Sequence, residues 1–263
     1  MRIRRKYGWK KQSPDHRDFK IQQLALVKPL APLLPPEANL QEWCSEVEDQ
    51  KNIGACTGNS FAALLEYNEN KYPVKGRKYF DMSRLFIYYC ERAIEGTVNE
   101  DSGAQLRDGA KALSIYGCCP ESEWPYDVNK FAVKPSKKCY KDALPNVIHS
   151  YYSLDGHTPE ETLINLKTSI ASGNPFVLGF TVYESFESDE VANTGIMPIP
   201  KAGEQILGGH AVFAVGFSDT TQDFLIKNSW GKKWGLKGYF RMPYKVISDP
   251  NMASDMWTIV KNI

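Results

Sequence analysis

Apolar positions follow two rhythms along this chain. Phe61, Leu64, Leu65 and Asn68 recur at three-and-four spacing, which predicts a helix over 56–72 that Pro73 stops. Ser83 is placed to cap a second helix carrying Leu85, Phe86, Tyr88 and Tyr89. A third is expected over 102–116, ended by Gly117. Thr158-Pro159-Glu160-Glu161 joins a cap residue to a first-turn proline and starts a fourth, which Gly173 ends. After Asn174 the pattern shortens. Runs at 176–182, 211–217, 224–227, 239–242 and 257–260 are bounded by Gly, Pro or Asp and read as strands. Helices early and strands late imply an α+β fold in two lobes rather than alternating βαβ units. The helical lobe is expected over about 48–145 and the β lobe over about 146–263, with no internal repeat.

The first 35 residues differ from the rest. They open basic, turn at Pro14-Asp-His-Arg-Asp18, and become Pro-rich from Pro29 to Pro36. We read them as an N-terminal extension with a linker near 28–36, ahead of a domain over 36–263. The extension is either a short propeptide or lid, anchored by Tyr7, Trp9 and Phe19, or a disordered tail. Its start looks like the charged part of a signal peptide, but no apolar segment follows.

Composition narrows the class. At 263 residues and 42% apolar, the chain can bury a core. A net charge of +1 gives no reason to expect a nucleic acid or an anionic membrane as partner, and no apolar run is long enough to span a bilayer. The cysteines are Cys44, Cys56, Cys90, Cys118, Cys119 and Cys139, without a Cys-x-x-Cys pair, and the four histidines are scattered. No zinc site and no cofactor is expected.

Three segments carry candidate chemistry. Cys56 follows Gln50-Lys-Asn-Ile-Gly-Ala55 at the start of a helix, where free backbone N–H groups and the helix dipole stabilise a thiolate. His210 follows Gly208-Gly209 and opens an apolar strand. Asn228 closes another, in Asn228-Ser-Trp230-Gly-Lys-Lys-Trp234-Gly-Leu-Lys-Gly238-Tyr239. Each alone reads as structural: a small buried residue, a strand-edge histidine, a Trp/Gly-rich turn. In the order Gln, Cys, His, Asn they supply a nucleophile, its base, a group to orient the base, and donors for an oxyanion. Those donors would be the Gln50 side chain and the Cys56 backbone N–H.

Over about residues 35–263 the sequence resembles the papain family of cysteine peptidases, including cathepsins. Gln50 six residues before Cys56, Gly209-His-Ala-Val212 and the Asn-Ser-Trp-Gly segment carry the resemblance. It implies a two-lobed papain-like fold, with a helical left lobe, a β-barrel-like right lobe and the cleft between them. It implies a monomeric cysteine endopeptidase acting on protein or peptide substrates. Cys56 and His210 would form a thiolate–imidazolium pair, His210 would bond Asn228, and Trp230 would shield that bond. Gly103, beside Ser102, falls where the family has a glycine turn that pairs with substrate backbone. Gly209 and Trp230 are further substrate-binding candidates. Cys90 and Cys139 fall where the family has a disulfide, and one of Cys118 and Cys119 is a candidate partner for Cys44. Such bridges would favour an extracellular, vacuolar, lysosome-like or virion-associated setting.

The chain departs from the family at Ile53 and Thr57, where a cysteine and a tryptophan are usual. This points to a divergent microbial or viral branch. Alignment of the C-terminus places Asp255 near the floor of the pocket for the side chain two before the scissile bond. A carboxylate there would favour Arg or Lys, unless it is merely a solvated loop acid. Two other classes use this chemistry or this fold: a transglutaminase-like acyl transferase, which usually completes its triad with Asp, and an inactive peptidase scaffold that only binds.

Overall fold

The computed structural model describes residues 5–23, 34–76 and 78–260. The helices are α1 (Cys56–Lys71), α2 (Arg84–Glu95), α3 (Leu106–Tyr116), α4 (Lys137–Ala143), α5 (Pro159–Ala171), α6 (Asp189–Thr194) and α7 (Tyr244–Ile247). The strands are β1 (Glu37–Asn39), β2 (Tyr152–Ser153), β3 (Phe176–Tyr183), β4 (Ile206–Ser218), β5 (Asp223–Lys227), β6 (Tyr239–Pro243) and β7 (Ala253–Thr258). The strands form one antiparallel sheet in the order β2-β7-β3-β4-β5-β6, with β1 added along the end of β4.

Local signals explain most boundaries. Ser83 caps α2 by accepting from the Phe86 N–H, and Gly96 ends it in the left-handed conformation. Thr158 caps α5, whose first residue is Pro159. Two expectations shift. The third helix begins at Leu106 rather than 102, because Ala104 is extended and bridges to Trp9. The last strand covers 253–258 rather than 257–260, since it pairs with β3 as far as Ala253.

Two apolar cores build the lobes. One gathers α1, α2 and α3 around Phe61, Phe86 and Leu113; the other packs α5 and the sheet around Phe176, Phe224 and Phe240. Helix α1 is buried on every face from Cys56 to Asn68 and runs along β4 between the two. A helix with no solvated side has little freedom to move, so it is a firm mount for whatever stands at its N-terminus.

The extension crosses this body as an ordered segment. Trp9 is 9% exposed and pairs with Ala104, and Ile21 is buried in the β-lobe core. The Phe19 ring is exposed and anchors nothing, although its carbonyl accepts the Ser153 N–H at 2.8 Å; Ile21 supplies the buried side chain. Part of the Pro-rich linker, residues 24–33, lies outside the described residues.

All six cysteines are free thiols. The expected Cys90–Cys139 bridge is therefore absent. Cys90 Sγ faces the Tyr140 hydroxyl at 4.0 Å, whereas Cys139 Sγ contacts Ser136 Oγ at 3.2 Å. Cys44 donates toward Leu40 O and Cys118 toward Ser83 O, so that suggested pairing is also absent. The argument from disulfides to a compartment falls with them. No described helix is long and apolar enough to cross a membrane, and no described cluster of His, Cys, Asp and Glu could hold a metal ion.

Candidate active site

Cys56 is the first residue of α1, preceded by Ala55, which offers no side-chain cap. The first-turn N–H groups thus stay available. The sulfur is fully buried, and the nearby backbone N–H groups of Ala211, Gly8 and Thr57 partly oppose the effect of burial by favouring the thiolate. Ala211 follows His210 on β4, so the strand packed along the helix start carries the candidate base.

The imidazole is fixed from behind. Asn228 Oδ1 lies 2.8 Å from His210 Nε2 and also accepts the Ser229 N–H at 2.8 Å. The second bond orients the amide with its oxygen toward the ring. An amide oxygen only accepts, so Nε2 carries the proton and Nδ1 keeps its lone pair. That Nδ1 is buried with no hydrogen-bond partner among the described residues. Trp230 stacks on the ring at 4.8 Å and 25° and keeps water from the His210–Asn228 bond. Phe180 and Phe186 extend the aromatic wall.

Gln50 is held by three bonds to its neighbours: its N–H to Ser229 O at 2.9 Å, Ser229 Oγ to its Oε1 at 2.7 Å, and the Tyr126 hydroxyl to its O at 2.9 Å. This leaves Nε2 to face the cleft. It donates to the carbonyls of Ile53 and Lys6, each at 3.1 Å.

Lys6 belongs to the extension, and the rest of the cleft is likewise filled by it. Trp9 N donates to Gly209 O at 2.9 Å. Ala104 N donates to Gly8 O at 2.8 Å, and Lys10 N to Ala104 O at 3.0 Å. The backbone pairing expected at Gly103 is made by Ala104, while Gly103 gives the room. A Cβ on Gly103 would stand 2.0 Å from Gly8 O. Gly8 has no alternative residue either, because a Cβ there would stand 1.8 Å from Gly54 O. Ser102 Oγ accepts from Lys10 Nζ at 3.1 Å.

The Trp9 indole lies over Gly179, where a Cβ would come within 2.0 Å of the ring. Asp255 closes the same pocket, accepting Trp9 Nε1–H and Gln12 N–H at 2.9 Å each. Its position comes from a β-bulge. Val177 pairs with Trp257 and Gly179 with Ser254, so two residues of β7 oppose Leu178, and Asp255 takes φ +61°. The bulge re-aims one carboxylate from the sheet into the cleft.

Enclosure sets the charge state. Burial pushes the Cys56 thiol up to about 12 and the His210 imidazole down to about 4, the latter partly opposed by its bond to Asn228. With the extension in place, burial favours the neutral forms of both the thiol and the imidazole. Burial likewise raises the Asp255 carboxyl to about 6.

The sequence reading missed the residues that hold the extension: Gly8, Asp49, Glu95, Asp101, Gly179 and Glu187. A basic run from Arg2 to Lys11 without a single acid was the available signal that acidic partners lie elsewhere.

The model of the papain family of cysteine proteases matches residues 35–259. The chain belongs to the papain family. It is 42% identical to an uncharacterised peptidase C1-like protein of Acanthamoeba polyphaga mimivirus, over 98% of this chain and 87% of that protein. Xylellain, a cysteine protease from Xylella fastidiosa, superposes with a TM-score of 0.86 at 39% identity, and each chain is covered in full. A cathepsin L-like proteinase of Fasciola hepatica is 27% identical over 76% of this chain, which spans 57% of that protein's length. The matched stretch contains Gln50, Cys56, His210 and Asn228.

Proposed function

We propose that this papain-family member is a cysteine endopeptidase whose residues 5–12 form a latent lid over the cleft. The observation that carries the reading is the His210–Asn228 bond at 2.8 Å under Trp230, which leaves an unpartnered Nδ1 on the strand that touches the Cys56 sulfur. The base is already oriented; what it lacks is a substrate.

With the lid displaced, His210 Nδ1 takes the Cys56 proton and the thiolate attacks a peptide carbonyl carbon. The oxygen gains the negative charge and is met by Gln50 Nε2–H and the Cys56 N–H. Imidazolium at His210 gives its proton to the departing amine, leaving a thioester at Cys56. A water then loses a proton to His210, attacks the thioester, and releases the acid and the thiol.

The lid blocks this in two ways. The Lys6 carbonyl occupies the Gln50 donor, and the Gly8 N–H occupies the sulfur. The thiol therefore faces a donor rather than a carbonyl carbon, which explains how the segment can lie across the nucleophile without being cut. In the pocket freed by Trp9, Asp255 offers a carboxylate to an N–H donor on the side chain two before the scissile bond; the occupant there now is an indole rather than the Lys or Arg that the sequence led us to expect. Residues 36–263 are then the catalytic domain and residues 1–35 its covering segment.

A peptide-library digest by wild type beside Cys56→Ala tests the reading. Cleavage that disappears in the variant is expected. Cleavage that persists in the variant, or none by wild type even after the lid is loosened by substitution at Trp9, would reject it.

A further inference from the structure

The lid is a peptide bound to this cleft, so its side chains report what the cleft recognises. Arg5 Nη1 lies 2.6 Å from Asp49 Oδ1, Lys6 Nζ 2.7 Å from Asp101 Oδ2, and Lys10 Nζ 2.9 Å from Glu95 Oε2. The Tyr7 hydroxyl donates to Glu187, and Trp9 Nε1 to Asp255 at 2.9 Å. Apart from Gly8, which has no side chain, every residue from 5 to 10 meets an acid.

These acids come from five separate places: the segment before α1, the turn before α3, the end of α2, the stretch after β3, and the bulge in β7. They converge only along the cleft. Asp101 is further held by the Gly54 N–H at 2.9 Å and the Tyr88 hydroxyl at 2.6 Å, so its position does not depend on Lys6. Asp49 also accepts the Lys51 N–H and Glu95 the Gln105 N–H. The acids are mounted on the body and remain when the lid leaves.

Charge balance points the same way. The first twelve residues carry six basic side chains and no acid, so the remainder of this +1 chain carries −5. Lifting the lid uncovers a furrow of carboxylates with low-dielectric walls, and such a furrow concentrates cations.

We infer that the open cleft selects basic peptides with an aromatic N–H donor, spaced as in the lid: cations three and four positions before the ring and one directly after it. The inference rests on the peptidase reading for turnover but not for binding. The central pocket takes a flat ring because Gly179 leaves no Cβ in its wall, and it prefers Trp to Phe because Asp255 needs a donor. Flanking cations pair with Glu95, Asp101 and Asp49, while an acidic peptide would set like charges against them.

The test uses the full chain and three fluorogenic peptides of equal length, in which Lys, Gln or Glu fills those three positions around a Trp. Binding is measured by calorimetry with Cys56→Ala carrying Trp9→Ala, and initial rates with Trp9→Ala, so that the lid is loosened in both. At about 0.01 M salt, where screening reaches only beyond about 30 Å, the Lys peptide is expected to exceed the Gln peptide by about tenfold or more in both measurements. The Glu peptide should trail both. At about 1 M salt the gap should close, and Glu95→Gln should narrow it at low salt. Equal or inverted order among the three at low salt would overturn the inference, even with all three cut in a Cys56-dependent way. Should none be cut, the peptidase reading fails, and the binding order still decides this one.

Discussion

The floor of the cleft and its cover are built by opposite means. Below, His210 and Asn228 stand on β4 and at the end of β5, strands paired over several residues, and their mutual bond is sealed under Trp230. Above, residues 5–12 are held by side-chain pairs at the rim, three short backbone bonds and one buried indole. The floor cannot rearrange without breaking a sheet. The cover can leave without doing so, since its ion pairs lie at a half-buried rim where each contributes little and salt still weakens them. On the proposed reading, latency does not require a distorted catalytic site. A finished site can be kept silent by filling and drying it.

That contrast can be broken at its strongest contact first. Trp9→Ala removes the largest buried lid side chain, and a buried Trp→Ala change costs about 3–5 kcal/mol, so turnover of the full chain is expected to rise by about a hundredfold or more. Far-UV circular dichroism should stay unchanged; a collapse of the fold would mean that the cover is part of the floor. Next comes the floor itself. Asn228→Ala, in the Trp9→Ala background, frees the imidazole to turn and should lower turnover by on the order of tenfold, a fraction of the ~10²–10⁴ that general acid–base catalysis supplies. Its pH profile should shift as well, whereas a purely structural role would leave the profile in place. The smallest effect is expected at the rim. Lys10→Gln removes the pair with Glu95, worth about 0.2–1 kcal/mol, so full-chain turnover should rise no more than about fivefold, and the gain should vanish in high salt.

How far the sequence can be read follows the same division. Cys56, His210, Asn228 and Gln50 are legible because each sits in a short run of residues with a shared role. The Gly-Gly precedes the histidine, the Trp follows the asparagine, and the glutamine stands six before the thiol. Helices α1, α2 and α5 are legible because caps and stops are local signals. The cover is only half legible. Trp9 stands out as an anchor, but its acceptor is 246 positions away and is aimed by a bulge that no periodicity announces. Phe19 misleads because an aromatic in a charged stretch looks buried whether or not a pocket exists for it. The Cys90–Cys139 bridge fails for a related reason. Matching positions in a family pattern do not bring two sulfurs together, and here Cys90 faces a tyrosine and Cys139 a serine.

Drying the site has a signature of its own in the nucleophile. Thiolate, not thiol, is the alkylating form, and burial holds Cys56 near 12 while the lid is closed. A raised thiol value means little thiolate at neutral pH and reactivity that climbs only toward strongly alkaline solution. The most direct measurement is therefore the rate of iodoacetamide modification of Cys56 against pH, followed by mass spectrometry in wild type and in Trp9→Ala. A slow, alkaline-rising profile in wild type that moves to markedly lower pH in the variant is the expected result. Superimposable profiles for the two proteins would contradict a finished site silenced by its cover.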